Sequence, residues 1–319
     1  MPDPIRVLLW TDAPAAYLAA IEQAGLSGAV QVETAGRAAP PTDVQLAGAE
    51  ALLAREVEPG TLPRMKRLRW AQAMTAGVEG WLALPDLPQD LTLTCARGTH
   101  RESMPENILA ALFHLTKPFC AIVEDQKRSH WARRIAQPLN GKTLGILGLG
   151  AVGKEVARLA GALGMRVIGT KRDGAKLPGL AEVFPPEQTD TVLGQSDFVL
   201  LLLPATPATE NFIDAARLAR MKPGAWLLNF GRGALIRDAD LIAAAAEKRI
   251  AGAVLDVFRE EPLPASHPFW TAPGILVLPH IGGPHPNRDA IVARLFAENL
   301  GRFVRGEALR EVVDRAAGY

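Results

Sequence analysis

The sequence has little cysteine, almost no net charge and no long apolar run, and each shortage excludes a class of protein. Only two cysteines, Cys95 and Cys120, occur in 319 residues. They show no disulfide framework or metal-ligand spacing, so we predict no metal site and expect both to be buried small apolar residues. The formal net charge of +1 argues against nucleic-acid or membrane-surface partners. The longest strongly apolar run, Phe198 to Leu203, is far too short to span a bilayer.

The start of the chain, Met1 to Pro4, leads straight into a strand-like segment without the basic and apolar regions of a secretory signal. We therefore expect a cytoplasmic protein. The length and the 48% hydrophobic content suggest two domains. Strand patterns alternate with helical ones, which predicts an α/β fold with parallel sheets covered on both faces. The predicted strands are Arg6–Thr11, Val30–Thr34, Ala49–Ala54, Arg69–Ala73 and Leu91–Cys95, then a second set from Thr143 through Val167–Thr170, Phe198–Leu203, Trp226–Asn229, Gly252–Val257 and Ile275–Leu278.

Two longer helices are predicted outside these strands. One runs from Pro105 to about His130 and carries regularly spaced apolar residues. Such a helix is long enough to cross from one domain to another. The other, Asp289 to Phe303, has an apolar face and is expected to return to the first domain.

A glycine-rich turn near the centre of the chain is the most informative motif. Gly148-Leu149-Gly150-Ala151-Val152-Gly153 follows the strand that begins at Thr143 and precedes a helical pattern. In a dinucleotide-binding turn, the first glycine allows the tight turn and the second lets the backbone approach a pyrophosphate, while the third lets the helix pack on the strand. Glycines at this spacing also occur in ordinary turns. Here, however, a second strand follows at the spacing of one βαβ unit, so we predict a dinucleotide site.

The residues after that second strand indicate which dinucleotide is preferred. An Asp or Glu usually binds the adenosine ribose of NAD at this place, but this chain has Gly169-Thr170-Lys171-Arg172. Two cations suit the 2′-phosphate of NADP, because Arg offers a planar fork of donors and Lys a compact charge. A solvated basic turn is the plain alternative, and Asp173 could still reach a ribose. We predict that NADP(H) is preferred and that NAD(H) is usable.

Three chemistry-bearing residues follow three successive predicted strands in the last third of the chain. Arg232 lies in NFGRG, Glu261 in DVFREEP and His280 in PHIGG. Open α/β sheets bind ligands at the carboxyl ends of their strands, so these side chains should share one site. Each alone also has a structural explanation, as a surface arginine, a capping glutamate or a hydrogen-bonded histidine. Their occurrence after three neighbouring strands favours a catalytic role.

With these motifs the sequence resembles the D-isomer-specific 2-hydroxyacid dehydrogenase family, most closely its glyoxylate and hydroxypyruvate reductase branch. The likeness covers nearly the whole chain and includes Leu139–Thr143, Leu203–Pro207, Met221–Gly224 and Val312–Asp314. It implies two doubly wound parallel-sheet domains. A Rossmann cofactor domain, residues 99–288, would be inserted in a smaller flavodoxin-like catalytic domain, residues 1–98 and 289–319. It also implies a homodimer joined through the cofactor domains.

The resemblance also assigns residues to roles. Arg232, Glu261 and His280 become the catalytic set, and the loop around Thr75, Ala76 and Gly77 holds the substrate carboxylate. Arg55 is a second substrate candidate, because phosphoglycerate-specific members carry an arginine there, but exposure in a charged stretch explains it equally well. Beyond the glycine turn, the implied cofactor-binding residues are Met104, Thr170, Lys171, Arg172, Leu203, Pro204, Thr209, Phe230, Gly231, Asp256, Gly282 and Gly283.

The implied reaction is reduction of a small 2-oxo acid to the D-2-hydroxy acid with hydride from NADPH. His280 donates the proton, Glu261 favours its imidazolium form and Arg232 binds the substrate carboxylate. Asn107 stands where the family commonly has an aromatic residue or His, which leaves the substrate open. The alternatives are a D-3-phosphoglycerate dehydrogenase-like enzyme and an NAD(P)-sensing binding protein without turnover. Formate dehydrogenases are disfavoured because they place an amide where this chain has Glu261.

Overall fold

The computed structural model describes residues 3–319 and divides them into two compact units. Unit 1 comprises the described residues up to Thr99 together with His285–Tyr319, and unit 2 comprises His100–Pro284. Unit 2 is therefore one continuous segment, whereas unit 1 is built from two segments separated by unit 2 in the sequence. Each unit contains its own parallel β-sheet.

The regular elements alternate between strand and helix along most of the chain. The strands are β1 (Ile5–Trp10), β2 (Val30–Ala35), β3 (Ala51–Ala54), β4 (Trp70–Ala73), β5 (Thr92–Thr94), β6 (Thr143–Leu147), β7 (Arg166–Thr170), β8 (Glu182–Phe184), β9 (Phe198–Leu201), β10 (Trp226–Asn229), β11 (Gly252–Leu255) and β12 (Ile275–Val277). The α-helices are α1 (Ala15–Gln23), α2 (Asp43–Gly48), α3 (Glu79–Leu82), α4 (Ser103–Thr116), α5 (Phe119–Lys127), α6 (Ala151–Ala162), α7 (Thr189–Gln195), α8 (Ala215–Leu218), α9 (Asp238–Ala246) and α10 (Arg288–Val304). Short 3₁₀ turns occupy Leu62–Arg64, Pro186–Gln188, Gly233–Leu235 and Pro268–Trp270.

Unit 1 is a five-stranded sheet in the order β2-β1-β3-β4-β5, with every neighbouring pair parallel. This is the flavodoxin-like order, and it places a topological switch point between β1 and β3. Helix α10 packs on the sheet together with α1. Phe296 of α10 stacks on Trp70 with ring centroids 5.1 Å apart and meets Tyr17 edge-on. All three aromatic side chains are buried, so the late helix completes the early core.

Unit 2 is a seven-stranded parallel sheet in the order β12-β11-β10-β9-β6-β7-β8. The chain starts at β6 in the middle of the sheet, moves outward to β8, and then returns to fill the other side from β9 to β12. That reversal is the Rossmann arrangement, and it puts the ligand-binding crevice beside the carboxyl ends of β6 and β9. The predicted fold class, two doubly wound parallel sheets, is confirmed.

Two sequence predictions about local structure are wrong, and one strand was missed. The single helix predicted from Pro105 to about His130 is two helices, α4 and α5, bent by 62°. Lys117 is extended between them because Pro118 disfavours helical backbone in the residue before it. Cys120 is exposed near the start of α5, whereas Cys95 is buried as predicted. The short edge strand β8 was not predicted.

No single helix in residues 3–319 has both the length and the apolar composition needed to cross a membrane. By length and composition alone, the bent pair of α4 and α5 taken together would be long and apolar enough. Ile108 and Leu112 of α4 are fully buried in the core of unit 2.

Candidate functional site

The glycine turn between β6 and α6 combines two crowded positions with one open position. Gly148 has a positive φ of +108°, and a Cβ there would lie 2.8 Å from the Leu202 carbonyl oxygen. A Cβ at Gly153 would lie 2.5 Å from the Gly148 carbonyl oxygen. Gly150 caps α6 and has nothing within 4 Å of its Cβ position. The first-turn N–H groups of α6 have no intrahelical acceptors, so an anion such as a pyrophosphate fits here.

The end of β7 carries the basic pair predicted to select the cofactor. Thr170 is buried, and its carbonyl accepts a hydrogen bond from the Leu149 N–H at 3.0 Å, which ties the end of β7 to the glycine turn. The Lys171 ammonium forms an ion pair with both carboxylate oxygens of Asp173. This hydrogen bond lowers the pKa of Asp173 below its usual value. Asp173 therefore neutralises Lys171, and Arg172 lies exposed beside it.

Three residues predicted to bind the cofactor surround a fourth, Gly282, after β12. A Cβ on Gly282 would lie 2.6 Å from Asp256 Oδ2, 3.0 Å from Phe230 Cδ1 and 3.5 Å from Met104 Cε. The buried Asp256 carboxylate accepts hydrogen bonds from the N–H groups of Ile281 at 2.7 Å and Gly282 at 2.9 Å. Burial raises the pKa of Asp256, and these two bonds oppose that shift. A side chain at position 282 would therefore displace the Asp256 carboxylate.

The loops after β9 and β10 contain a further group of the predicted cofactor residues. The Thr209 hydroxyl donates to the Pro204 carbonyl at 2.7 Å, which closes the loop after β9. A Cβ at Gly231 would lie 2.9 Å from the Leu203 carbonyl oxygen. The two loops thus run side by side at the carboxyl ends of neighbouring strands, as the register of β9 and β10 requires.

The loops after β11 and β12 bring Glu261 and His280 into direct contact. His280 Nδ1 lies 2.6 Å from Glu261 Oε2, and Glu261 Oε1 accepts a hydrogen bond from the Phe258 N–H at 2.9 Å. The carboxylate is therefore held at both oxygens, and the imidazole is oriented by it. His280 itself has a left-handed φ of +53°, which is uncommon for a residue with a side chain. With Nδ1 directed at the carboxylate, Nε2 is the ring atom left for proton exchange.

Arg232 lies in the turn after β10 and is positioned by a buried amide. The Asn229 side chain accepts a hydrogen bond from the Gly231 N–H at 3.1 Å and donates one to the Arg232 carbonyl at 2.9 Å. Arg232 Nη1 donates to the Gly231 carbonyl at 2.8 Å. The half-buried Arg232 side chain thus extends from a turn whose backbone is fixed by Asn229 at the end of β10. Asn229 is a functional candidate that the sequence reasoning did not single out, although its place at the end of a buried strand was a usable signal.

The segment that follows His280 is held from two sides by polar side chains of unit 2. The Asp256 carboxylate accepts hydrogen bonds from the N–H groups of Ile281 and Gly282. The Asn107 amide donates to the carbonyls of Ile281 at 3.0 Å and Gly282 at 3.3 Å. The ring of His100 completes this support with Nδ1 3.0 Å from the Gly283 carbonyl oxygen. Sequence reasoning noted Asn107 only as a departure from the family pattern and did not identify His100.

In unit 1, the loop Met74–Val78 follows β4 and is fixed through its carbonyl oxygens. The Thr75 carbonyl accepts from the Ala96 N–H at 2.9 Å, the Thr75 hydroxyl donates to the Gly77 carbonyl at 2.7 Å, and Arg288 donates to the carbonyl of Met74. Within residues 3–319, the N–H groups of Thr75, Ala76 and Gly77 donate to no protein acceptor. An anion such as a carboxylate would supply acceptors for these donors.

Arg55 lies exposed after β3 in the same unit. Its backbone carbonyl accepts a hydrogen bond from the Trp81 indole at 2.9 Å. That bond anchors the main chain of Arg55 and leaves its side chain outside the core.

A glycine turn at a helix N-terminus and a carboxylate-backed imidazole at the same sheet edge are typical of a nicotinamide-dependent oxidoreductase. Residues 109–282, more than half of the chain, match the family model described as "D-isomer specific 2-hydroxyacid dehydrogenase, NAD binding domain". The chain belongs to the D-isomer specific 2-hydroxyacid dehydrogenase family. The predicted family and the NAD(P)-dependent enzyme class are thereby confirmed.

Individual relatives extend over most of the chain. Glyoxylate/hydroxypyruvate reductase A of Serratia proteamaculans is 32% identical over 262 residues, which cover 79% of this chain and 82% of that protein. A family member from Aeromonas salmonicida has a structure with a TM-score of 0.87 at 31% identity, covering 98% of this chain and 100% of that chain. The NADPH-dependent glyoxylate/hydroxypyruvate reductase of Sinorhizobium meliloti, in complex with NADP and sulfate, gives a TM-score of 0.85 at 28% identity, covering 99% and 100%.

Proposed function

We propose that this protein reduces a small 2-oxo acid, of the glyoxylate or hydroxypyruvate type, to the corresponding D-2-hydroxy acid. NADPH is the hydride source and His280 is the proton donor. The observation that carries the proposal is the 2.6 Å contact between His280 Nδ1 and a Glu261 carboxylate that is itself fixed by the Phe258 N–H. A histidine held this way can give a proton from Nε2 and recover it in the reverse direction.

The chemistry divides between the cofactor and three side chains. NADPH, when bound, would supply the hydride for the carbonyl carbon of the oxo acid and the two electrons of the reduction. His280 transfers a proton to the carbonyl oxygen, so that the carbonyl becomes an alcohol and no alkoxide accumulates. Glu261 orients the imidazole ring through its contact with Nδ1. Arg232 binds the substrate carboxylate and polarises the carbonyl through its planar fork of donors.

The cofactor site that we propose runs along the carboxyl ends of the strands of unit 2. The open position at Gly150 and the N-terminus of α6 receive the pyrophosphate, and Lys171 with Arg172 receives the 2′-phosphate. The cluster of Met104, Phe230, Asp256 and Gly282 would hold the nicotinamide end. The reductase of Sinorhizobium meliloti is NADPH-dependent, which supports the preference for NADPH over NADH.

The loop Met74–Val78 of unit 1 has three N–H groups without protein acceptors among residues 3–319, which suits it to bind a carboxylate. Unit 1 then corresponds to the catalytic domain and unit 2 to the cofactor domain of the sequence prediction. Arg55 is exposed at the end of a neighbouring strand, and it suits the alternative of a phosphorylated substrate, as in a D-3-phosphoglycerate dehydrogenase-like enzyme. Cytoplasmic location stays a prediction from the sequence.

We also propose a homodimer formed through α5 and the segment that follows it. This part of unit 2 exposes an unusual number of large apolar side chains, which marks a protein contact surface. They are Phe119, Ile122, Val123, Trp131 and Ile135, of which Trp131 is 92% exposed.

A substrate panel tests the proposed function directly. Glyoxylate, hydroxypyruvate, pyruvate, phenylpyruvate and 3-phosphohydroxypyruvate are each reduced with NADPH and with NADH, and the oxidation of the cofactor is followed by absorbance. We expect the first two acids with NADPH to give the highest kcat/KM. Preference for the phosphorylated acid would favour the phosphoglycerate alternative, and NADPH binding without turnover of any acid would favour a sensor.

Replacing Glu261 with glutamine is expected to lower kcat for the oxo acid with little change in the Kd for NADPH. The amide keeps the shape of the side chain but removes the charge-assisted contact that orients the His280 ring. The measurement is kcat for the oxo acid together with a titration of NADPH in the parent and the variant. Glu260→Gln is the matched control, because it removes the same charge from the adjacent exposed residue. An unchanged kcat in Glu261→Gln would reduce Glu261 to a structural role.

Replacing Arg232 with lysine is expected to raise KM for the oxo acid and to lower kcat at the same time. Lysine keeps the positive charge but loses the planar fork that binds a carboxylate at two points and reaches the carbonyl oxygen. Steady-state kinetics with saturating NADPH separates the two parameters. A change confined to KM would contradict a role for Arg232 at the reacting carbonyl.

A further inference from the structure

The loops that carry Arg232 and Glu261 touch through their backbones. They leave the sheet from β10 and β11, which are parallel neighbours with Asn229 paired to Leu255. A Cβ at Gly233 would lie 2.0 Å from the Phe258 carbonyl carbon and 2.4 Å from the Arg259 nitrogen. No side chain fits between the two loops, so their separation depends on what holds the backbones together.

One side chain, Arg259, spans this junction from the Glu261 side. Its Nη2 lies 3.2 Å from the carbonyl oxygen of Ala234 and 2.5 Å from that of Ile236, in the turn that follows Arg232. The same nitrogen donates to the side-chain oxygen of Asn211, in the segment after β9. A single guanidinium therefore joins the loops that follow three consecutive strands of the sheet.

Two carboxylates fix the charge of Arg259 in this position. Asp238 Oδ1, at the start of α9, lies 3.6 Å from Nε, and Glu210 Oε1 lies 3.9 Å from Nη1. The side chain is 34% exposed, so these ion pairs are partly screened by solvent and the bonds to carbonyls supply the geometric constraint.

This contact between the two loops lies close in sequence to Arg232 on one side and to Glu261 on the other. Arg259 directly follows Phe258, whose N–H binds Glu261 Oε1, and the Glu261 carboxylate orients His280. On the other side, the Leu235 N–H donates to the Arg232 carbonyl at 3.2 Å, within the short turn that Arg259 binds. A shift between the two loops would change the distance between Arg232, which binds the substrate carboxylate, and His280, which is the proton donor.

We propose that Arg259 is a positioning residue that fixes the spacing between Arg232 and the Glu261–His280 pair. It acts through the loop backbones and touches neither substrate nor cofactor. The proposal rests on the proposed function, in which Arg232 holds the oxo acid while His280 protonates it. A small displacement of groups that must act together can lower a rate by roughly 100-fold without a comparable loss of binding.

The test compares Arg259→Met with Arg259→Lys and with a control, Arg220→Met. Methionine keeps an unbranched apolar stem but removes every donor, and lysine restores the charge and part of the hydrogen bonding. Arg220 is an exposed cation of the same unit whose ion pair with Asp190 spans 3.6 Å. We expect Arg259→Met to lower kcat by about 10- to 100-fold with the Kd for NADPH within about twofold of the parent. Arg259→Lys should recover part of the loss, and Arg220→Met should match the parent.

Amide hydrogen exchange supplies a readout that does not depend on turnover. Peptides that cover residues 230–237 and 256–262 should exchange faster in Arg259→Met than in the parent. In Arg220→Met, their exchange should equal that of the parent. An unchanged kcat with unchanged exchange overturns the proposal, as does a loss of NADPH affinity and melting temperature in parallel with kcat, which would mark a general structural role. If Arg259→Met does not fold, Arg259→Lys decides on the same criteria. If the parent reduces no oxo acid, the proposed function fails, and the exchange data alone decide whether Arg259 joins the loops.

Discussion

Replacing His280 with alanine is expected to lower the rate of 2-oxo acid reduction by about 10²- to 10⁴-fold, the usual loss when a general acid is removed. NADPH affinity should change little. The glycine turn, the basic pair after β7 and the cluster around Gly282 do not depend on the imidazole, because Asp256 and Asn107 hold the following residues through their backbones. The measurement is single-turnover oxidation of NADPH together with a fluorescence titration of the cofactor.

His267→Ala is the matched control for this variant. It also removes an imidazole beside a carboxylate in unit 2, but that ring faces Asp238 at 3.6 Å and not Glu261. We expect the control to retain the single-turnover rate of the parent to within severalfold. Unchanged turnover in His280→Ala would remove His280 from the mechanism. A parallel loss of NADPH binding would instead show that the ring supports the fold of the site.

Replacing Lys171 with aspartate is expected to change the ratio of kcat/KM for NADPH to that for NADH by about 100-fold or more in favour of NADH. Each charge-assisted hydrogen bond to the 2′-phosphate contributes roughly 1.5–3 kcal/mol, and tenfold in affinity corresponds to about 1.4 kcal/mol. Aspartate also repels the phosphate and offers the ribose hydroxyls of NADH an acceptor. Both cofactors are compared at one fixed ionic strength, because salt screens exposed charges.

A control variant and the parent enzyme provide two checks on the cofactor prediction. Lys176→Asp makes the same change in charge farther along the turn, and it should leave the cofactor ratio close to that of the parent if the position matters and not only the net charge. A parent enzyme that already prefers NADH would refute the phosphate role. So would an unmoved ratio in Lys171→Asp, which would assign the two cations to the solvated surface.

Most of the fold could be predicted because buried parallel strands leave a clear trace in the sequence. β3, β6 and β9 are short, largely apolar runs, and every residue in them is buried. β8 left no such trace because it is a three-residue edge strand that begins with an exposed glutamate. The bend between α4 and α5 was missed because apolar spacing continues past Pro118, although the rule for residues before proline was sufficient to place a break there.

The candidate site shows the same division between local and long-range information. Arg232, Glu261 and His280 could be chosen from sequence because each follows a recognisable strand, and the structure places the last two in contact. Their supports could not be chosen in this way. The Asn107 amide reaches carbonyls 174 and 175 residues away in the chain, and Arg259 reaches the side chain of Asn211, 48 residues away. Side-chain hydrogen bonds to groups this far away in the chain leave no periodic pattern in the sequence. Only the folded structure reveals them.

The split construction of unit 1 has a consequence for how the chain folds during synthesis. Unit 2 is continuous, so all its strands, with Arg232, Glu261 and His280, have been made once the ribosome has passed residue 284. Unit 1 must wait for α10, because Phe296 fills the space between Tyr17 and Trp70 at its centre. The first 99 residues are thus held with an incomplete core while nearly two hundred more are added. Unit 1, although its larger part emerges first, is the last to close.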